Sequence, residues 1–349
     1  MVERNDALNR GTVRSPLFKP SSAQAAALRE RLERLQRPAT MLGLLRSAVP
    51  TGFEPSAVVS CTTLTVHPDR AVLHVRARAD SGAEREYTVK CYCDDIGDRI
   101  WSFTKGLAAG LPGDGDDRAV LPIAYLRDEW ALVSAWIDGI PLSEVQDART
   151  PGLLRRAAAV VAAVHRVTVI PEPPTTPAML IEETLARRER LRARWPAALP
   201  LVDPVLGALR DAAAGLDPAA PVPVHGDLGG AQFLWTGSRL VLIDWDRFGY
   251  ADPAFDAGHF LAQLDRVAIV NPALRAHAAE WIASFIDPYG AAMPEVSHRN
   301  VAFYRAMTLL WKIHTICRVQ PAAWPQLVPQ LARAARVALQ GARATESSR

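Results

Sequence analysis

Between Ala57 and Tyr92 the chain alternates apolar and polar positions with a period of two. β-Branched residues are frequent there, so three strands are expected, over Ala57–Val66, Ala71–Ala79 and Glu84–Tyr92. His67-Pro-Asp-Arg and Asp80-Ser-Gly supply the turns between them. Ile96–Leu111 then follows a helical period, and Ala119–Tyr125 and Trp130–Ile137 return to strand character. Upstream, Ser22 can cap a helix that turns Ala25, Leu28, Leu32 and Leu35 inward, and residues 1–20 are expected to form a flexible leader. From Pro141 onward the pattern is mostly helical, with apolar faces over Leu153–Val167, Ile181–Arg194, Pro204–Leu216, Asp256–Ile269, Pro272–Ile286, Val296–Cys317 and Trp324–Gly341. A Pro-rich connection covers Ile170–Pro177, and Pro223–Tyr250 interrupts the helices with short apolar runs around Gly, Asp and His. The expected fold class is α+β. Residues 1–54 form a leader and helical extension, 55–138 a small antiparallel-sheet lobe with one helix, and 139–345 a larger, mostly helical lobe.

Composition narrows this picture. Of 349 residues, 49% are apolar and 22% are charged, enough for a sizeable core. The formal charge of +3 gives no reason to expect nucleic acid as a partner. The start Met1-Val-Glu-Arg-Asn-Asp has no apolar stretch, so no secretory signal is expected. The longest apolar run, Ala157–Val164, is too short to span a bilayer, and no membrane partner is expected. Cys91 and Cys93 stand one residue apart, without a second Cys/His pair nearby. The four cysteines are therefore expected to be reduced thiols in a cytoplasmic protein. Only Lys19, Lys90, Lys105 and Lys312 are lysines, against 36 arginines, which makes each lysine worth examining.

The chemistry gathers in Val224-His-Gly-Asp-Leu-Gly-Gly-Ala-Gln-Phe-Leu-Trp and Leu240-Val-Leu-Ile-Asp-Trp-Asp-Arg. Phe233–Trp235 and Leu240–Ile243 flank Thr236-Gly-Ser, a hairpin pattern that brings Asp227 and Gln232 close to Asp244. Two carboxylates and an amide oxygen are hard donors suited to Mg²⁺ carrying phosphate. Taken alone, Asp227 is also a residue that favours turns. Lys90 shares a strand face with Thr88 and Tyr92, where a lysine either snorkels or meets an anion.

His225-x-Asp227-x-x-x-x-Gln232 followed by Ile243-Asp244 resembles the catalytic and metal loops of the aminoglycoside phosphotransferase / choline kinase-like family, with its protein-kinase-like fold. Ala251-Asp-Pro-Ala-Phe-Asp256, Val164-His-Arg, Tyr87-Thr-Val-Lys90 and Leu132-Val-Ser-Ala-Trp-Ile-Asp-Gly139 extend the resemblance, in order, over roughly residues 55–320. It implies ATP, or another nucleoside triphosphate, with Mg²⁺. Asp227 would be the base toward an acceptor hydroxyl, and His225 a brace of the catalytic loop. Asp244 and Gln232 would hold the metal, and Asp246 would either touch a second metal or cap a turn. Lys90 would hold the α- and β-phosphates, backbone groups near Ala135 and Ile137 would face adenine, and Asp256 would bond the catalytic-loop backbone.

Three departures from the family pattern stand out. Gln232 replaces the usual asparagine. The stretch around the first strand turn has no glycine and offers the hydroxyls of Thr62, Thr63 and Thr65 to phosphate instead. No glutamate lies between Tyr87 and Asp128, so Asp94, Asp95 or Asp98 would have to partner Lys90. These departures keep open an inactive pseudokinase that binds a peptide or a partner enzyme. A metal hydrolase built on His225, Asp227, Asp244 and His259 is a further alternative, although it leaves Lys90 unexplained. His259 and Cys317 are otherwise assigned to core or surface. Residues 266–349 carry ten Lys and Arg against four acids, and the helix before the catalytic loop carries Arg187, Arg188, Arg190, Arg192 and Arg194. That balance opposes a polycationic acceptor and favours a neutral or anionic hydroxyl compound or a Ser/Thr-bearing peptide, unless the arginines simply lie on solvated faces.

Overall fold

The computed structural model describes residues 18–111, 117–168, 173–320 and 322–344. Most of the leader expected at residues 1–20, and the start of the Pro-rich connection, lie outside these. The chain divides into two compact units, one of Pro16–Gly113 with Arg118–Gly139, the other taking in Ile140–Arg349.

The smaller unit is built on a five-stranded antiparallel sheet. Its spatial order is Pro55–Val66, Arg70–Ala79, Glu84–Tyr92, Ala131–Ala135, Ala124–Leu126. Alternation decides which face is covered. Leu73, Val75, Ala77, Tyr87, Val89, Cys91, Ala131 and Val133 are buried in one cluster with Leu28, Leu35, Met41 and Leu45. Those last four come from the helices Ser22–Leu35 and Pro38–Ala48, and burial of each is worth on the order of 2 kcal/mol. The second of these helices was not foreseen. It opens on Pro38 at its first turn, where the missing N–H costs nothing. Ser21, rather than Ser22, caps the first helix. Its hydroxyl accepts from the Gln24 amide (3.2 Å) while the Gln24 side chain accepts from the Ser21 amide (2.9 Å). The strand expected over Ala119–Tyr125 is split into Arg118–Ala119 and Ala124–Leu126, with Pro122 in the gap.

In the larger unit the short β-rich segment is held by two antiparallel pairings. Val222–Val224 pairs with Gly249–Ala251, and Phe233–Trp235 pairs with Leu240–Leu242. Each of these strands leads into or out of a loop, 225–232 or 243–248, so the pairings place the two loops side by side. Ile140–Pro141 adds to the open edge of Phe233–Trp235. Around this segment lie the helices Thr150–His165, Ala254–Val270, Ala278–Ala292 and His298–Val319. The helix expected to stop at Ile286 runs on through Pro288, because Tyr289 in the added turn is fully buried and bonded to His165, which offsets the lost backbone bond. Among the described residues no helix is long and apolar enough to cross a membrane.

Candidate active site

The loop carrying Asp227 is fixed from three sides. Asp256, fully buried at the start of the helix Ala254–Val270, accepts from the His225 amide (2.6 Å) and the Gly226 amide (2.9 Å). These are the backbone bonds expected of Asp256. His165 donates from Nε2 to the same carboxylate (3.2 Å) and bonds the Tyr289 hydroxyl through Nδ1 (2.9 Å). Burial pushes the Asp256 carboxyl up, but His165, His225 and the amide bonds outweigh it and hold it below the usual range. Gly226 sits at φ +81°, and a methyl there would collide with the Arg247 carbonyl, so only glycine lets the two loops close up. The His225 ring, 1% exposed, donates from Nε2 to the Ile243 carbonyl (2.9 Å) and thereby ties the catalytic loop to the residue before Asp244.

Asp227 itself reaches a cavity of about 200 Å³, and its side chain is 44% exposed. Its partner is His259, whose Nε2 lies 3.3 Å from Oδ1. Nε2 also stands 3.4 Å from the Gln263 amide nitrogen, and Nδ1 lies 3.5 Å from the Thr308 hydroxyl. Desolvation pushes the Asp227 carboxyl up. The His259 contact and the charges of Lys312 and Arg247 overcome this and hold it well below the usual carboxylate range. Burial lowers His259 more than Asp227 raises it, which favours the neutral imidazole.

Asp244 and Gln232 are brought together by the hairpin, because the Ile243 amide donates to the Gln232 carbonyl (2.9 Å). Asp244 adopts φ +71°, a left-handed conformation that costs a non-glycine residue about 1–3 kcal/mol. The His225–Ile243 bond and the flanking strands hold it there. The Gln232 carboxamide lines the same cavity as Asp227 and, among the described residues, makes no protein hydrogen bond. Its oxygen folds back beside Gly229, which takes up the extra methylene relative to asparagine. One carboxylate and one unengaged amide oxygen fit Mg²⁺, a cation that keeps most of its shell for water and phosphate. Asp246 lies two residues further on, in the turn that leads to Arg247.

The remaining expected residues lie in the smaller unit. Lys90 sits opposite Val72 and Leu132 on the sheet face away from the helices Ser22–Leu35 and Pro38–Ala48, in line with Thr88, and Thr62 shares that face through His74. Thr63 points the other way. It pairs with core Leu73, and its hydroxyl accepts from Gln36 Nε2 (2.8 Å), so it leaves the group it was expected to join. Trp136 donates to the Glu86 carbonyl (3.0 Å), which makes Ala135 and Tyr87 a non-hydrogen-bonded pair. The Ala135 amide and carbonyl therefore point to the other edge of the strand. Ile137 follows, part-buried, beyond the strand. Of the three aspartates offered to Lys90, Asp98 pairs with Arg127 (2.7 Å), and one oxygen of Asp94 accepts from the Ile96 amide (3.2 Å).

Gln263, Arg266 and Lys312 were not assigned to the site by sequence, and His259 was placed there only in the metal-hydrolase alternative, yet all four stand around Asp227 or its cavity. The signal was present. Asp256, His259, Gln263 and Arg266 recur at helical spacing along an otherwise apolar helix, and Lys312 is one of four lysines.

The chain matches the model of the phosphotransferase enzyme family, APH, over residues 115–297, more than half its length, and it belongs to that family. Solved structures with the same fold include a choline/ethanolamine kinase family protein from Mesorhizobium loti (18% identity, 90% of this chain and 93% of that one, TM-score 0.53). A macrolide 2'-phosphotransferase from Brachybacterium faecium is similar at 19% identity, 85% and 96% coverage and TM-score 0.51. The aminoglycoside phosphotransferase APH(4)-Ia is similar at 15%, 85% and 98%, with TM-score 0.57. The small antiparallel-sheet lobe with its helix and the larger helical lobe are those of a protein-kinase-like fold. No curated protein sequence matches the chain.

Proposed function

We propose that this protein transfers the γ-phosphate of ATP, or another nucleoside triphosphate, to a hydroxyl acceptor. The observation that carries this is the Asp227 carboxylate, held ionised by His259 at a cavity it shares with the unengaged Gln232 amide. Asp227 accepts the acceptor's proton as its oxygen bonds to phosphorus and the bond to the leaving diphosphate oxygen breaks. Asp244 and Gln232 hold Mg²⁺, which neutralises phosphate charge when bound. Lys90 and Thr62 serve the phosphates, and the outward backbone groups of Ala135, with Ile137 beside them, serve the base. His225 and Asp256 position the loop. The related fold of APH(4)-Ia has been seen with AMP-PNP and hygromycin B together, support for a nucleotide and a hydroxyl compound sharing such a site. Among the described residues no three His, Cys, Asp or Glu side chains converge as a metal site, which leaves a transition-metal hydrolase without its ligand set.

Calorimetric titration of ATP with and without Mg²⁺ tests this. Magnesium-dependent binding that is lost in Asp244→Ala is expected. Absence of binding at millimolar ATP overturns the proposal. It would favour the pseudokinase.

A further inference from the structure

The cavity beside Asp227 has an unusual charge balance. Its ionisable lining consists of one acid, Asp227, and two cations, Arg266 and Lys312. On the surrounding helices several arginines pair with acids: Arg187 with Glu183 (2.6 Å), Arg188 with Asp203 (2.8 Å) and Arg305 with Asp265 (2.7 Å). The two lining cations are not. Arg266 donates only to the Gln263 amide oxygen (3.2 Å), and among the described residues Lys312 makes no hydrogen bond or ion pair.

The groups around Lys312 deepen the deficit. Arg266, Arg187 and Arg247 all repel it, and Asp227 alone attracts it. Asp227 is already shared with His259, and in the proposed reaction it must receive a proton. Lys312 is half-buried, and a half-buried ammonium without a full partner carries a cost that a bound anion would relieve. Leu154, Phe260, Leu264 and Trp281 make part of the remaining wall apolar, beside Ser143, Thr150 and Gln263, and strengthen charge pairing there.

We infer that this cavity receives the acceptor and selects an anionic hydroxyl compound, whose carboxylate or phosphate is held by Lys312 and Arg266 while its hydroxyl faces Asp227. This deepens the phosphotransferase proposal and rests on it for the word acceptor, but the anion site itself rests on the cavity lining and its two cations. Within the anionic class the guanidinium of Arg266 suits a bidentate partner, and the ammonium of Lys312 serves as a point charge.

The test uses matched pairs: glycerate against glycerol, gluconate against glucose, and glucose 6-phosphate against glucose, with the aminoglycoside kanamycin as a polycation. Binding is measured calorimetrically without nucleotide, and turnover with Mg-ATP is followed separately. At least one acid is expected to bind about tenfold or more tightly than its neutral partner, which separates carboxylate from phosphate preference. Lys312→Met should abolish that preference and leave the neutral partner's affinity within about twofold, and Lys312→Arg should restore part of it. In turnover the loss should fall on KM for the acid rather than on kcat. A neutral compound or kanamycin binding better overturns the inference. So does failure of every acid to bind at about 50 mM, or survival of the preference in both Lys312→Met and Arg266→Gln. If the acids are preferred but Mg-ATP does not bind, the phosphotransferase proposal falls and the anion site stands.

Discussion

Asp227 and Lys312 show how one carboxylate and one ammonium are tuned by what surrounds them. Asp227 is ionised throughout the neutral range because its partners outweigh its desolvation, so it is ready to accept a proton without first losing one. Replacing it with Asn keeps the shape and removes the acceptor of that proton. Turnover of any accepted substrate is expected to fall about 10²–10⁴-fold, with the near-UV circular dichroism unchanged, and full activity would exclude Asp227 as base. Lys312 carries the opposite cost. Burial pushes its ammonium from 10.5 down to about 8, Asp227 opposes this, and Arg266, Arg187 and Arg247 add to it. Below pH 8 the folded protein carries the whole penalty. Between pH 8 and 10.5 the unfolded chain holds a proton that the folded one does not, so stability rises with pH across that window. Lys312→Met is therefore expected to stabilise the protein at pH 7 by up to about 3 kcal/mol, with the gain shrinking toward pH 10. Urea unfolding at the two pH values measures this, and an unchanged or lowered stability at pH 7 would mean the charge is already compensated.

Among the elements, the helices Ala254–Val270 and His298–Val319 set the site's precision. Gly258 lets them touch: a Cβ there would lie 2.6 Å from the Val301 carbonyl oxygen and 2.7 Å from the Arg305 amide. That closeness brings Thr308 to His259 and sets Lys312, one turn beyond Thr308, at the cavity. Gly258→Ala must separate the helices, which should cost about 1–3 kcal/mol of stability. It should also lower activity more than a surface Gly→Ala change at Gly152, where nothing stands within 4 Å. Thermal unfolding and initial rates compared for the two variants decide this, and equal behaviour would show the contact to be slack. The strained Asp244 is likewise a product of elements. Two antiparallel pairings and the His225 bond hold a conformation that the residue alone would avoid.

For the molecule as a whole, the cysteines offer a test of how the core is closed. All four are free thiols, and Cys91, Cys93 and Cys317 are fully buried while Cys61 is partly accessible. Burial pushes the Cys91 and Cys317 thiols up to about 11, and Arg31 only partly offsets this at Cys91. A thiol reagent at neutral pH should modify at most Cys61 in the native protein and all four after denaturation. Rapid native reaction of a second thiol would reveal an opening of the core. The arginine-rich composition also resolves at this scale. Of the basic residues that argued against a polycationic acceptor, Arg187, Arg188, Arg192, Arg299 and Arg305 are paired with acids, and the argument now rests on Lys312 and Arg266, which line the cavity.

Much of this was legible in the chain itself. Period-two and helical patterns determined both lobes, since burial of one face follows from where apolar residues fall. The ordered motifs around Asp227 and Asp244 carried the resemblance to the family, and the hairpin pattern between them brought the two loops together. Tertiary structure alone decided what depends on residues distant in sequence. Thr63 was lost from the phosphate-facing group because a helix upstream supplies Gln36 as its partner. His259 was gained because Asp227, thirty-two residues earlier, lies within reach of its ring. The charge of the cavity followed the same rule. A count of arginines along the chain cannot tell which have found an acid, because pairing is a matter of distance in space, and only the packed helices leave Lys312 and Arg266 without one.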